Sequence, residues 1–160
     1  ASLTGHLVLS TLHTNDAPST ITRLINMGLK PYLITAALVA IISQRLVKKI
    51  CPDCKEEYTP DNDILHELNL HDHDLQGKQF YIGKGCSSCN RTGYKGRMSI
   101  LEIMSVDEEM CSHIIKQSST ETIREIARSN GMSTLLESGL NAVYSGLTTL
   151  EEVARETSVN

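Results

Sequence analysis

Thr4-Gly5-His6-Leu7-Val8-Leu9-Ser10-Thr11-Leu12-His13-Thr14-Asn15-Asp16-Ala17 is the stretch whose reading decides the fold. Residues 7–12 (LVLSTL) are short, apolar and rich in Leu and Val, which predicts a buried strand. One histidine stands before that strand and another just past its end. His13-Thr14-Asn15-Asp16 then reads as a turn, in which Asn15 or Asp16 caps a following helix and Pro18 suits its first turn. In an open α/β sheet, polar groups beyond the C-terminal end of a strand face the ligand crevice. Spacing alone leaves two readings open for His13: part of such a crevice, or part of an Asx turn that caps the helix.

Working outward, the first helix carries Ile21, Leu24 and Ile25 on one face and ends near Gly28. Pro31 opens a second helix. Ile34, Leu38, Ile41 and Ile42 repeat at the spacing of a buried stripe, which predicts that it continues to about Gln44. Residues 45–50 read as helix end or strand. A polar, acidic stretch over 55–78 holds His66, His71 and His73, with a short helix expected over 64–70. Strands are expected at 80–82 and 98–104. The remainder is helical. One helix begins at Val106-Asp107, and a second has a capping-box pattern at Ser118 and Glu121. A third runs from Ser133 to Gly146, and a short fourth opens on a second box at Thr149 and Glu152. There is no internal repeat or low-complexity tract. The result is a mixed α/β chain whose sheet is expected to be completed by further strands.

Composition sets bounds on this reading. The chain has 160 residues, about one domain by size, and 40% of them are hydrophobic, enough to bury a core. Aromatic content is 4%, with no Trp and one Phe, so the core rests on Leu, Ile, Val, Ala and Met. A formal net charge of -4 argues against a general nucleic-acid binder. The basic residues nonetheless cluster, as Arg45, Lys48 and Lys49 and again as Arg91, Lys95 and Arg97. The most apolar run, residues 33–42, is half the length of a spanning helix, which takes about 20 residues. With no signal-peptide pattern either, a soluble protein is expected. The chain begins with Ala rather than Met, and its N-terminus reads as a boundary inside a larger protein.

Cys51, Cys54, Cys86 and Cys89 form C-x2-C-x31-C-x2-C. A two-residue gap lets both thiolates of a pair turn toward one point, and two such turns complete a sulfur tetrahedron suited to zinc. In a chain without secretory features, cysteines at this spacing are metal ligands more often than disulfides. Four thiolates leave no open position, so the expected role is structural. The metal would offset the closure entropy of the long intervening loop. Gly85 and Gly93 allow the tight backbone such knuckles need. Cys111, beside Met110 and Ile114, reads as a buried helix cysteine. His66, His71 and His73 read as a solvated loop face.

Residues 4–17 resemble the histidine box of secretion ATPases of the type II secretion and type IV pilus class. Gln44-Arg45-Leu46-Val47-Lys48-Lys49-Ile50-Cys51-Pro52-Asp53-Cys54 resembles the entry to that family's tetracysteine motif, and residues 85–97 (GCSSCNRTGYKGR) resemble its second half. Leu101-Glu102-Ile103-Met104 and residues 146–153 (GLTTLEEV) also fit. The resemblance covers nearly the whole chain in order and is weakest over 55–83. It implies an α/β fold, the C-terminal part of a RecA-like P-loop ATPase domain with a tetracysteine zinc insert and a C-terminal helical region. Residues 1–50 would end the RecA-like core, 51–97 would form the zinc-binding subdomain, and 98–160 the mostly helical region.

The intact protein would by this resemblance be a cytoplasmic homo-hexamer, peripheral to the bacterial inner membrane. ATP with Mg2+ would drive an inner-membrane platform protein that adds subunits to a filament. His6 and His13 would lie near the nucleotide and couple its state to movement. Arg97 matches an arginine that points toward nucleotide in relatives, and on its own sequence context reads equally as a surface charge. No G-x4-G-K-[ST] run occurs in these residues, and no acidic boxes for Mg2+ are recognised, so the residues alone are expected not to hydrolyse ATP. Retraction-type relatives usually lack the tetracysteine insert, which favours an assembly or secretion motor. The alternatives are a zinc-stabilised protein-interaction adaptor without a nucleotide role and, disfavoured by charge, a nucleic-acid-binding zinc ribbon.

Overall fold

The structure, a computed structural model, describes residues 1–158, and the side chains of all of these except Asp72 and His73. The expectation for His73 therefore lies outside the described side chains. The chain divides into two compact units. One comprises Ala1–Ser43 with Leu101–Thr134, and the other Gln44–Ile100 with the residues from Leu135 onward. Two long strands, β1 (Ala40–Ile50) and β4 (Tyr94–Ser105), carry the chain from one unit to the other and form a two-stranded sheet.

The first unit is mainly helical. α1 (Ala17–Asn26) starts at Asp16, whose Oδ1 accepts from the Ser19 N–H at 2.8 Å, with Pro18 in the first turn as expected. α2 (Pro31–Ala37) packs on α5 (Glu108–Ile115), and α1 packs on α6 (Thr120–Ser129). Their shared core includes Ile21, Ile34, Met104, Met110, Ile114 and Ile123. Leu24 and Ile25 join its edge, as the helical spacing predicted. Cys111 is half-buried beside the fully buried Met110 and Ile114.

The second unit holds the remaining elements. β2 (Lys55–Tyr58) pairs antiparallel with β3 (Phe80–Gly83), in a register that sets Lys55 opposite Gly83 and Tyr58 opposite Phe80. Between them lie α3 (Asn62–Glu67) and α4 (Asp72–Leu75). α7 (Leu135–Tyr144) and α8 (Leu150–Thr157) pack on each other. Leu68, Phe80, Val143, Leu150 and Val153 form their core, and the Phe80 and Tyr144 rings meet edge to face at 6.1 Å.

Three local expectations are corrected. Residues 7–12 are not a strand: they follow a 3-10 turn (Ser2–Thr4) without regular structure, with Leu7 85% and Leu9 88% exposed. A strand needs a neighbour for its N–H and C=O groups, and no strand pairs with this run among the described residues. The second helix stops at Ala37 rather than near Gln44, because Leu38 is already extended. Ile41 satisfies the helical stripe by coincidence of phase. Val39, Ile41, Ile42, Val47 and Ile50 are β-branched, and the chain continues as β1. The cap of α6 is Ser119, accepting from the Thr122 N–H at 3.2 Å, not Ser118. Ser118 is taken by the end of α5, its N–H on the His113 carbonyl at 3.0 Å and its Oγ against His113 Nδ1 at 3.1 Å.

Candidate metal centre

Each cysteine pair sits on a 3-10 turn placed where a strand ends. β1 delivers Cys51, the turn Pro52–Cys54 delivers Cys54, and β2 follows at once. On the other side β3 ends at Gly83, and the turn Ser87–Cys89 carries the second pair into β4. The chain leaves that turn through two consecutive left-handed residues, Asn90 (φ 52) and Arg91 (φ 61). The Arg91 N–H thereby reaches the Cys86 carbonyl at 2.8 Å.

The knuckles are bonded to each other. The Cys51 N–H donates to the Gly93 carbonyl at 2.9 Å, and the Lys84 N–H to the Cys54 carbonyl at 3.1 Å. Gly83 and Gly93 meet backbone to backbone at this junction. A Cβ on either would run into the carbonyl of the other, so both positions need glycine. This close approach draws the two turns into register across the 31-residue gap.

The four Sγ atoms all lie within 4.8 Å of one another. Cys51 and Cys86 are 3.9 Å apart, Cys54 and Cys89 3.9 Å, and Cys86 and Cys89 3.7 Å. A disulfide needs about 2.05 Å, so none is formed. A tetrahedron with zinc–sulfur bonds of about 2.3 Å has edges of about 3.8 Å, which matches these separations. Backbone N–H groups point at sulfur as they would at a thiolate: Gly85 to Cys54 at 3.3 Å, and Cys86 and Gly93 to Cys89 at 3.2 and 3.3 Å. The residues thus fit a zinc ion. When bound, it would draw four thiolates to one centre and complete the fold of this segment.

Cys51, Cys54 and Cys89 are shifted in different directions. The N–H groups of Cys86 and Gly93 bring Cys89 down to about 6 against the effect of burial. Burial pushes Cys54 up to about 12, and the neighbouring sulfurs add to it. Burial also raises Cys51. A divalent cation at the centre would favour the thiolate form of its ligands.

The other expected site residues are each placed within one unit. His6 and His13 both lie exposed on the N-terminal run, His6 with its Nδ1 3.1 Å from Thr4 Oγ1. Arg97 is exposed on β4, in the other unit, with no hydrogen bond or ion pair among the described residues. His66 and His71 are exposed, and neither belongs to a metal-binding group among the described residues. Of the basic residues, Lys48 is engaged with Glu152 at 3.2 Å, and Lys95 lies 3.5 Å from Asp53.

Two buried carboxylates escaped the sequence reading. Glu102 is 2% exposed, and its Oε1 accepts the Ala17 N–H at 2.7 Å. It therefore anchors the start of α1, directly after the histidine run. Asp16, the residue before Ala17, caps the same helix and has Oδ2 2.9 Å from Arg124 of α6. Burial would push the Asp16 carboxyl up, but Ser19 and Arg124 outweigh it and hold it below its ordinary value. The signal for Glu102 was present: it falls in the buried phase of β4, between Ile100 and Met104. Glu152, 3% exposed, is the second such residue.

Comparison with known proteins identifies the family of this mixed α/β chain, with its cluster of four cysteines and its histidine-flanked run. The family described as "Type II/IV secretion system protein" matches residues 1–155. The chain is 50% identical over 157 residues to the type IV pilus assembly ATPase PilB of Thermus thermophilus, covering 98% of this chain and 18% of that protein. It is 43% identical over 159 residues to the PilB of Myxococcus xanthus, covering 99% and 28%. It is 41% identical over 157 residues to the type II secretion system protein E of Pseudomonas aeruginosa, covering 98% and 31%. The chain belongs to the type II/IV secretion system protein family. It spans less than a third of the length of these relatives.

Proposed function

We propose that these residues are the zinc-bearing C-terminal portion of a hexameric motor that uses ATP and Mg2+ to power type IV pilus assembly or type II secretion. The observation that carries this reading is the identity to pilus-assembly and secretion ATPases over nearly the whole chain. The cluster of four cysteines at metal-binding separations supports it. In this reading residues 1–50 end a RecA-like core, 51–97 form a zinc-binding subdomain, and 98–160 complete a helical region. His6 and His13 respond to the nucleotide, and Arg97 reaches toward it. The motor works at the cytoplasmic face of the inner membrane against a platform protein. No helix among the described residues is long and apolar enough to cross a membrane, in keeping with peripheral attachment.

Phosphate-cradling and Mg2+-holding motifs are not found in these residues, so their own role is structural and coupling rather than hydrolytic. Hydrolysis of ATP by the complete protein and by residues 1–160 alone tests this. The expected result is turnover by the former only. A complete protein that neither binds nor hydrolyses ATP would favour the adaptor role instead.

A further inference from the structure

Sequence pattern predicts that Thr149 and Glu152 close a capping box on α8. Only half of it forms. The Glu152 N–H donates to Thr149 Oγ1 at 3.3 Å, but the Glu152 side chain turns inward and takes other partners. Its Oε2 accepts the Lys48 backbone N–H at 3.0 Å and Arg155 Nη2 at 2.7 Å, and its Oε1 accepts Lys48 Nζ at 3.2 Å. Beside it, Thr148 Oγ1 donates to the Lys48 carbonyl at 2.8 Å, and the Leu147 carbonyl accepts the Ile50 N–H at 2.9 Å. Three backbone groups of β1 therefore find their partners on the α7–α8 turn and the first turn of α8. The next residue is Cys51, a buried member of the sulfur cluster.

The same turn touches the other strands that enter or leave the cysteine knuckles. Thr149 Oγ1 lies 3.0 Å from the Tyr94 hydroxyl of β4. Glu151 Oε1 accepts from the Tyr58 hydroxyl of β2 at 3.2 Å. At Gly146 (φ +65) a Cβ would collide with Lys55 Nζ of β2 and the Tyr81 ring of β3. Those two stack with Nζ 4.1 Å from the ring centroid. One short segment thus grips all four strands that frame the metal centre.

We propose that residues 146–152 are a clasp that fixes the spacing of the two cysteine knuckles, with Glu152 as its positioning residue. The clasp supplies no metal ligand. It acts by holding β1, β2, β3 and β4 where the four sulfurs meet, so metal retention depends on it. Removing the Glu152 carboxylate leaves the Lys48 N–H without its acceptor, while Arg155 keeps its bond to Glu156, and frees the end of β1 that carries Cys51.

The test is the rate at which the zinc-loaded complete protein releases zinc to an excess of chelator. Glu152→Ala is expected to release it on the order of tenfold faster, the effect of removing an outer support of a metal site. Glu152→Gln, which keeps an oxygen for the Lys48 N–H, recovers most of the parent's slow release. Thr148→Val gives a smaller acceleration and serves as the readout if Glu152→Ala does not fold. Leu140→Ala thins the packing of the same helix pair away from β1, and is expected to lower Tm while releasing zinc at the parent's rate. Release from Glu152→Ala at the parent's rate overturns the clasp. So does an acceleration that Leu140→Ala reproduces at an equal loss of Tm. A parent that takes up no zinc overturns the clasp together with the metal centre.

Discussion

The two cysteine knuckles and the histidine run were the two most informative stretches of the sequence, and they end in opposite conditions. The knuckles are complete: two tight turns, cross-bonded through Cys51 and Gly93, bring four sulfurs to near-tetrahedral separations. The histidine run is open, with Leu7, Val8 and Leu9 exposed between its two histidines. A site built from turns that bond to each other carries its own geometry. A strand does not, because its backbone groups and both faces require neighbours. The far end of the run is fixed where Asp16, Glu102 and Arg124 anchor the start of α1.

The largest expected effect is on the knuckles. Cys51→Ser or Cys89→Ser should abolish stoichiometric zinc binding and the ordered β2–β3 pairing, followed by metal analysis and amide exchange. Cys111→Ser, in the other unit, should change neither. Next in size is Glu102→Ala. It removes the buried acceptor of the Ala17 N–H and should cost about 1–3 kcal/mol in urea denaturation, without altering zinc content. An equal loss of zinc would show that the contrast between the two regions is drawn in the wrong place.

A smaller effect follows from Asp16. Its folded value is depressed, so the stability it contributes is present above its unfolded value of about 3.9 and is lost as the pH falls through the folded one. Asp16→Asn should therefore lower stability at neutral pH and flatten the acid limb of the stability profile. A parallel downward shift at every pH would contradict this linkage. The smallest effect on stability belongs to His13→Ala. An exposed side chain with no partner among the described residues should change stability by under about 0.5 kcal/mol. If His13 senses nucleotide, the same variant should depress ATP turnover by the complete protein.

Much of this was legible because the signals were local. The cap at Asp16, the stop near Gly28, the C-x2-C turns and the cap at Thr149 are each set by a few adjacent residues. What was missed depended on distant partners. β2 is Lys-Glu-Glu-Tyr, without an apolar alternation, and becomes a strand only because β3 lies opposite it, with Lys84 pairing Glu56. Ile41 and Ile42 fit a helical stripe and a strand equally, and the chain's continuation into β1 decides between them. Glu152 sits at a capping-box position, yet a Lys48 N–H from 104 residues earlier claims its side chain. Spacing could place the four cysteines together, but nothing in the sequence shows which turn holds them there.

X-ray absorption at the zinc edge tests the metal centre most directly. The account predicts about one zinc per chain, bound by four sulfurs at about 2.3 Å, with the signal lost in Cys51→Ser and Cys86→Ser. A mixed nitrogen or oxygen shell, or zinc retained in both variants, would contradict the centre as the structure draws it.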